Sequence, residues 1–379
     1  MKKLFCLALS LMLVFSLCAC GDETKLEVTK ANEKTDFSSF EKSGREFCKG
    51  IKVGWNLGNT LDACKVWGNL SDEPTPDEQE TAWNNPKTTQ AIIDKVTESG
   101  FNAIRIPVTW YLQTTESKGK YTIKPNFLKR VREVVDYCIN DNLYVIINVH
   151  HDDKFWLDIS TNNKKFKKVS DKYGQIWEQI ASYFKDYDSH LIFEAGNEII
   201  ANTAYDGCGK SKTDKCWWGH NDRCYVRINS LFRVFYDKVR NTGGNNLKRY
   251  LMYPTYGAQW YEQQISRLEI PQNDDHAIVD IHCYQFDFEN GDNNKWIFEY
   301  MQKYSSENNV GMVIGETGFN KNTDNSKKVK FVSSVVKVAK KYSVPCFMWD
   351  DGGDMQLLER GKLKWNCEKF IKVLIQAVK

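Results

Sequence analysis

A surplus of one charge sign is missing from this chain. Its 52 basic residues stand against 49 acidic ones, for a formal charge of +3 over 379 residues. That balance gives no ground for proposing nucleic acid or a strongly acidic partner. No glycine-rich GxGxxG turn joins a strand to a helix, which weighs against a dinucleotide fold. The cluster of Cys208, Cys216 and Cys224 lacks the CxxC-type pairs of common zinc sites. No internal repeat or low-complexity tract stands out. The apolar run from Leu4 to Leu17 is too short and wrongly flanked for a mature transmembrane helix. Hydrophobic residues make up 41% of the chain, enough for a sizeable core in one large domain or two ordinary ones. The 12 Trp and 18 Tyr fit an aromatic core or platforms for flat amphipathic ligands such as sugars, and composition alone favours the core.

The first residues read as a targeting segment: Lys2-Lys3, the apolar run, then small residues. Leu17-Cys18-Ala19-Cys20 resembles a bacterial lipobox. That implies a signal peptide over 1–19 and a lipidated Cys20, hence an extracytoplasmic, surface-anchored protein; ordinary secretion is the alternative. One acyl anchor tethers a soluble domain. Residues 20–45 are polar and read as a linker, with the folded domain over 46–379. Of the twelve cysteines, Cys6, Cys18 and Cys20 belong to the leader and nine remain. Disulfides are permitted outside the cytosol but cannot be paired from sequence. Cys208, Cys216 and Cys224 cluster closely enough for a bridge among them, while Cys138, Cys283 and Cys346 sit in apolar patterns as small buried hydrophobes.

Two stretches organise the rest. Leu191-Ile192-Phe193-Glu194-Ala195-Gly196-Asn197-Glu198 reads as a buried strand emerging at a site, and Val310-Gly311-Met312-Val313-Ile314-Gly315-Glu316-Thr317 has the same form. Each delivers a carboxylate, which suggests a glutamate pair working on a glycosidic bond. Around them strands and helices alternate. Strands are expected at 51–59, 102–108, 144–150, 191–198, 249–256, 277–284, 310–316 and 345–349. The intervening helices are expected from Asn85-Pro86 to Gly100 and over 125–140, 171–186, 222–241, 294–306, 326–342 and 363–377, with a short segment at 261–268. Eight such units imply a single-domain α/β fold, the (β/α)₈ TIM barrel, rather than a doubly wound sheet.

In such a barrel the site lies at the C-terminal ends of the strands. Those ends carry Trp55 and Asn56, Arg105, His150 and His151, Asn197 and Glu198, His282 and Tyr284, Glu316, and Trp349. Arg105 is either a structural ion pair or the cation that keeps a neighbouring carboxylate charged. His150-His151 invites a metal, but strand alternation sends neighbours to opposite faces and no third ligand stands at a typical spacing, so no metal is expected. His282 and Tyr284, two apart, share a face.

The chain resembles glycoside hydrolase family 5, most of all its endo-β-1,4-glucanase branches. The resemblance rests on Gly54-Trp55-Asn56-Leu57-Gly58-Asn59-Thr60-Leu61-Asp62, Ala103-Ile104-Arg105-Ile106-Pro107-Val108-Thr109-Trp110, Val145-Ile146-Ile147-Asn148-Val149-His150-His151, Phe193-Glu194-Ala195-Gly196-Asn197-Glu198, Ile281-His282-Cys283-Tyr284, Gly315-Glu316-Thr317-Gly318 and Trp349-Asp350, in order over residues 47–378. It implies a retaining mechanism without cofactor or metal. By position, Glu198 matches the general acid/base and Glu316 the nucleophile. Asn197 matches the binder of the sugar 2-OH, and Arg105 and Tyr284 the partners of the nucleophile. His150 and His282 match residues lining the cleavage point, with Asn56 and His151 beside them, and Trp349 matches the aromatic platform before the broken bond. Ile199 stands where the family usually has proline, which affects the loop rather than the chemistry. That loop, 200–223, carries Cys208, Cys216, Trp217 and Trp218; it borders the cleft or is a stapled surface loop.

The expected activity is therefore hydrolysis of internal β-1,4 bonds in cellulose or mixed-linkage β-glucan, by a monomer. The alternatives are the same chemistry on xyloglucan, mannan or xylan, and a non-catalytic glycan-binding lipoprotein. One barrel accounts for the chain, leaving no length for a separate carbohydrate-binding module.

Overall fold

The computed structural model describes residues 38–67, 70–160, 162–201, 222–287 and 290–379. Eight parallel strands close into a ring: β1 Gly54–Leu57, β2 Ala103–Ile106, β3 Tyr144–Asn148, β4 Leu191–Glu194, β5 Leu251–Pro254, β6 Ala277–His282, β7 Gly311–Thr317 and β8 Cys346–Asp350. Each pairs with the next in the chain, and β8 closes on β1. Helices α1 Gln90–Glu98, α2 Pro125–Asn140, α3 Asn163–Tyr183, α4 Asp222–Asn241, the short α5 Glu262–Ser266 and α6 Lys295–Asn308 follow β1 to β6. After β7 comes α7, running as Asn325–Phe331, a π segment Val332–Val336 and Lys337–Lys341; α8 Glu368–Val378 ends the chain. The expected (β/α)₈ barrel is thus the observed one.

Local chemistry sets these elements. Helix α2 opens on Pro125, where the missing N–H is one the helix could not have used, and buries Val131, Val134, Val135 and Cys138 along one stripe. Helix α3 starts eight residues before the expected Asp171, because the Asn162 side chain accepts from the Lys165 N–H and caps it there. Helix α1 starts at Gln90, not at Pro86, since Thr89 is still extended. Strand β4 ends at Glu194 rather than Glu198, the last ladder bond being Ala195 N–H to the Met252 carbonyl. Helix α8 starts at Glu368, because Leu363 turns with φ +51° between the paired segments Leu358–Glu359 and Lys364–Trp365.

The strand pleat sorts the barrel interior into two levels. Ala103, Ile146, Ile192, Met252, Ile278, Val313 and Phe347 form one apolar cluster toward the strand N-termini. Two residues further on, the same inward parity carries Asn56, Arg105, Asn148, Glu194, Asp280 and Trp349.

The apolar level is closed from below by Phe47 and by residues expected to be linker. Phe47 stacks on Tyr250 at 3.7 Å and Phe40 is buried beside it. The Tyr250 hydroxyl donates to the Lys42 carbonyl at 2.7 Å, and Gly44 N–H to the Asp275 carbonyl at 2.6 Å. A polar linker running to residue 45 is therefore corrected: by Phe40 the chain is part of the domain, because two aromatic rings and a glycine fit the open end of the ring. Residues 1–37, with the leader and Cys20, lie outside the described residues.

Candidate active site

Glu316 owes its aim to a bulge. Ile281 pairs with Ile314, but His282 pairs with Glu316, so Gly315 is the extra residue in β7. Without the bulge, alternation from Val313 would turn Gly315 inward and Glu316 out. Only glycine fits there: a Cβ on Gly315 would sit 2.3 Å from Asp280 Oδ1, which accepts the Gly315 N–H at 2.8 Å.

Glu316 is held at both oxygens. Oε1 accepts from Arg105 Nη1 at 2.7 Å and Oε2 from the Tyr284 hydroxyl at 2.8 Å. Arg105 is fully buried and its whole fork is engaged. Nε and Nη2 donate to the two oxygens of Glu194 at 2.7 and 2.8 Å, Nη1 also to Asn56 Oδ1 at 3.0 Å, and Nη2 also to Asn197 Oδ1 at 2.8 Å. Asn56 completes the frame by donating to the Gly315 carbonyl at 2.9 Å. Burial favours loss of the Arg105 proton, but Glu194 and Glu316 outweigh it and push its pKa well up. Glu194 is pushed up by its own burial, against the pull of Arg105.

Glu198 reaches the same place from the turn after β4. Its Oε1 lies 2.9 Å from His282 Nδ1, and Glu316 Oε2 is 3.6 Å from that nitrogen. One carboxyl oxygen of Glu198 and one of Glu316 lie within 4.8 Å of each other, with His282 between. His282 Nε2 is 3.1 Å from Asp280 Oδ2. Burial lowers the His282 pKa, but Glu316, Asp280 and Glu198 together raise it well above the usual imidazole value, so the ring is cationic. The Glu198 side chain is 45% exposed. Desolvation raises its pKa, yet the His282 hydrogen bond and charge, with Lys154, outweigh that and leave it below the ordinary carboxylate value.

His150 and His151 face one cleft, which corrects the opposite-face expectation. Strand β3 ends at Asn148, so alternation no longer applies, and the two rings lie 4.4 Å apart. His150 stacks parallel to Trp349 at 5.9 Å and its Nδ1 meets Asn148 Nδ2 at 3.1 Å. Burial pushes its pKa well down and takes His151 to about 3, so both rings are neutral. Asp62 brings a third donor atom within 4.8 Å of these histidines, another departure from expectation. Its oxygens already accept the Asn59 and Thr60 N–H groups at 3.1 and 2.7 Å. Gly58 leaves room for Trp349, whose ring would lie 2.7 Å from a Cβ there. Beside it a pocket of about 440 Å³ is lined by Asn59, Ala82, Trp83, Asn84, His151 and Trp349.

The ten residues assigned site roles from sequence are thus placed around one rim. Missed were Glu194, which holds Arg105, Asp280, which flanks His282, and Asp62. Inward alternation was the available signal for the first two: Asp280 is two before His282, and Glu194 two after buried Ile192. Trp55, by contrast, faces the helices, its indole N–H donating to Asp350 Oδ2 at 3.0 Å. Ile199 is fully buried. Cys208, Cys216, Trp217 and Trp218 lie outside the described residues, and Cys224 is buried at the start of α4. Cys138, Cys283 and Cys346 are buried, as expected of small hydrophobes.

The family model described as cellulase (glycosyl hydrolase family 5) matches residues 66–354. Endoglucanase A of Clostridium longisporum is 36% identical over 363 residues, covering 89% of this chain. The chain spans 66% of that relative's length. Endoglucanase A of Ruminococcus albus is 35% identical over 381 residues, covering 94% of this chain and 97% of its own. Among solved structures, a GH5-4 broad specificity endoglucanase from Ruminococcus champanellensis with bound cellotriose superposes with a TM-score of 0.80 at 31% identity, covering 90% of this chain and all of that one.

Proposed function

This chain belongs to glycosyl hydrolase family 5, and from that premise we propose that it is a retaining endo-β-1,4-glucanase acting on cellulose or mixed-linkage β-glucan. The observation that carries the reading is that carboxyl oxygens of Glu198 and Glu316 lie within 4.8 Å of each other. Inverting enzymes hold their carboxyls about 6.5–9.5 Å apart to admit a water, whereas retaining ones need about 5–5.5 Å.

In the first step a Glu316 oxygen attacks the anomeric carbon, the glycosidic bond breaks, and Glu198 gives its proton to the leaving oxygen. In the second, Glu198 takes a proton from water, which attacks the same carbon and frees Glu316. Arg105 and Tyr284 keep Glu316 aimed and ionised. A sugar in the cleft strips water from half-exposed Glu198 and pushes it toward the protonated state. Ester formation at Glu316 then removes a neighbouring negative charge and favours release of that proton. Asn197 meets the 2-OH, Trp349 floors the ring before the broken bond, and His150, His151, His282 and Asn56 line it. No metal or cofactor takes part in these steps.

Glu316→Gln tests this directly. Turnover of carboxymethylcellulose falls by on the order of 10⁴-fold while cello-oligosaccharide binding persists; full activity in that variant removes Glu316 from its role. Retained binding without any wild-type turnover would instead favour a non-catalytic glycan binder. The roomy pocket beside Trp349 favours a second reading, the same chemistry on xyloglucan, with mannan and xylan as further polymers; product analysis across these glycans decides. The leader supports export and a tether through lipidated Cys20, and the proposed state is a monomer. Fatty-acid labelling that survives Cys20→Ala refutes the tether, and a dimer on gel filtration refutes the monomer.

A further inference from the structure

We propose that the turn Tyr256–Ala258, just after β5, positions the general acid, with Gly257 and Tyr256 as the positioning residues. This rests on Glu198 and Glu316 being the cleaving pair. The two acids are placed by different means. Glu316 lies within the laddered length of β7 and is gripped at both oxygens. Glu198 lies beyond the end of β4, past the last ladder bond at Ala195. A proline at position 199 would fix its own φ; Ile199 does not. Restraint on the turn that carries Glu198 comes instead from its neighbours.

Three hydrogen bonds from outside bolt that turn down. Before Glu198, the buried Tyr173 hydroxyl donates to the Ala195 carbonyl at 2.6 Å. Directly after it, Gly257 N–H donates to the Ile199 carbonyl at 3.0 Å. Further on, Ala201 N–H donates to the buried Tyr256 hydroxyl at 3.0 Å. The last two come from the turn after β5, which is itself rigid. Thr255 N–H donates to the Asp280 carbonyl at 3.1 Å, and Thr255 Oγ1 to the Gln259 carbonyl at 2.6 Å. Gly257 and Ala258 are both left-handed, with φ of +61° and +48°. A left-handed alanine is strained and persists only where its surroundings over-determine it. Only glycine fits at 257: a Cβ there would stand 2.9 Å from Ile200 Cγ2, on the acid's own turn. A side chain at 257 therefore displaces Ile199 and Ile200, and Glu198 with them. Glu316 is spared, since Arg105 of β2 and Tyr284 after β6 hold it.

Gly257→Ala tests this through the leaving group. Cleaving cellohexaose requires a proton on the leaving oxygen, whereas 2,4-dinitrophenolate departs without one. In Gly257→Ala, kcat/KM on cellohexaose falls about thirtyfold, while on 2,4-dinitrophenyl β-cellobioside it stays within about twofold. Tyr256→Phe removes one bond and keeps the ring. It lowers the ratio of the two kcat/KM values about threefold and carries the test where Gly257→Ala does not fold. Equal losses on both substrates, or no loss on either, make the turn a merely structural element. That result overturns the positioning role and leaves the cleaving pair standing. A native chain that cleaves neither substrate removes the cleaving pair, and the positioning role with it.

Discussion

Toward the N-terminal ends of the strands, the barrel interior is filled by Ile146, Ile192, Met252, Ile278, Val313 and Phe347, closed off by Phe40 and Phe47. Two residues along the same strands, the inward positions are Arg105, Asn148, Glu194 and Asp280. The pleat is the same and the chemistry is opposite. The lower level is held by shape and by apolar surface removed from water, which asks for volume and little else. The upper level is held by directed bonds among buried charges. Such bonds tolerate no missing partner, because an unpaired buried charge costs more than the pair contributes. One level keeps the ring closed; the other keeps carboxylates aimed.

Substitutions at the two levels should separate these duties. Arg105→Met leaves Glu194 and Glu316 facing each other without their cation. Unfolding in urea should show a loss of about 3–5 kcal/mol, and β-glucan turnover should nearly vanish; a stable, active variant would mean the fork is dispensable. Phe47→Ala opens the lower level. A comparable loss of about 3–5 kcal/mol is expected, but with kcat on carboxymethylcellulose close to that of the native chain below the melting temperature. A matching fall in kcat would show that the two levels are not independent.

The pH profile sharpens the upper level. In the proposed mechanism Glu198 holds a proton to start the reaction, so kcat/KM should fall as pH rises through its pKa. Cationic His282 keeps that value low. His282→Gln removes the charge, raises the Glu198 pKa and should move the alkaline limb to higher pH; a limb that stays put or moves down uncouples the two groups. The smallest effect belongs to the lower level. Tyr250→Phe removes the bond to the Lys42 carbonyl while keeping the ring stack, and should cost about 1 kcal/mol in chemical denaturation, with activity unaltered.

Much of this was legible in the chain. Apolar runs ending in Asn56, His150, Glu198, His282, Glu316 and Trp349 give both the strand count and the polar rim, since strands covered on both faces cannot hide a polar residue without a reason for it. Element edges were less legible. The start of α3 depends on one asparagine cap, and the end of β4 on where Met252 stops offering a carbonyl. The packing of Phe40 and Phe47 is not legible in the sequence because two aromatics in a polar stretch carry no period. The paired histidines share a cleft against strand alternation because that alternation ends at the last laddered residue, Asn148.

Periodicity and residue type by themselves determined the eight-fold alternation, the identity of the two glutamates and the cation that accompanies them. All three are properties of sequence spacing: a strand repeats every two residues wherever it lies. Tertiary structure alone decided that Gly315 bulges so that Glu316 turns inward, that Glu194 and Asp280 brace Arg105 and His282, and that Glu198 meets Glu316 at all. Those facts depend on register between strands distant in the chain, and register is set by closure of the whole ring, which no single stretch records.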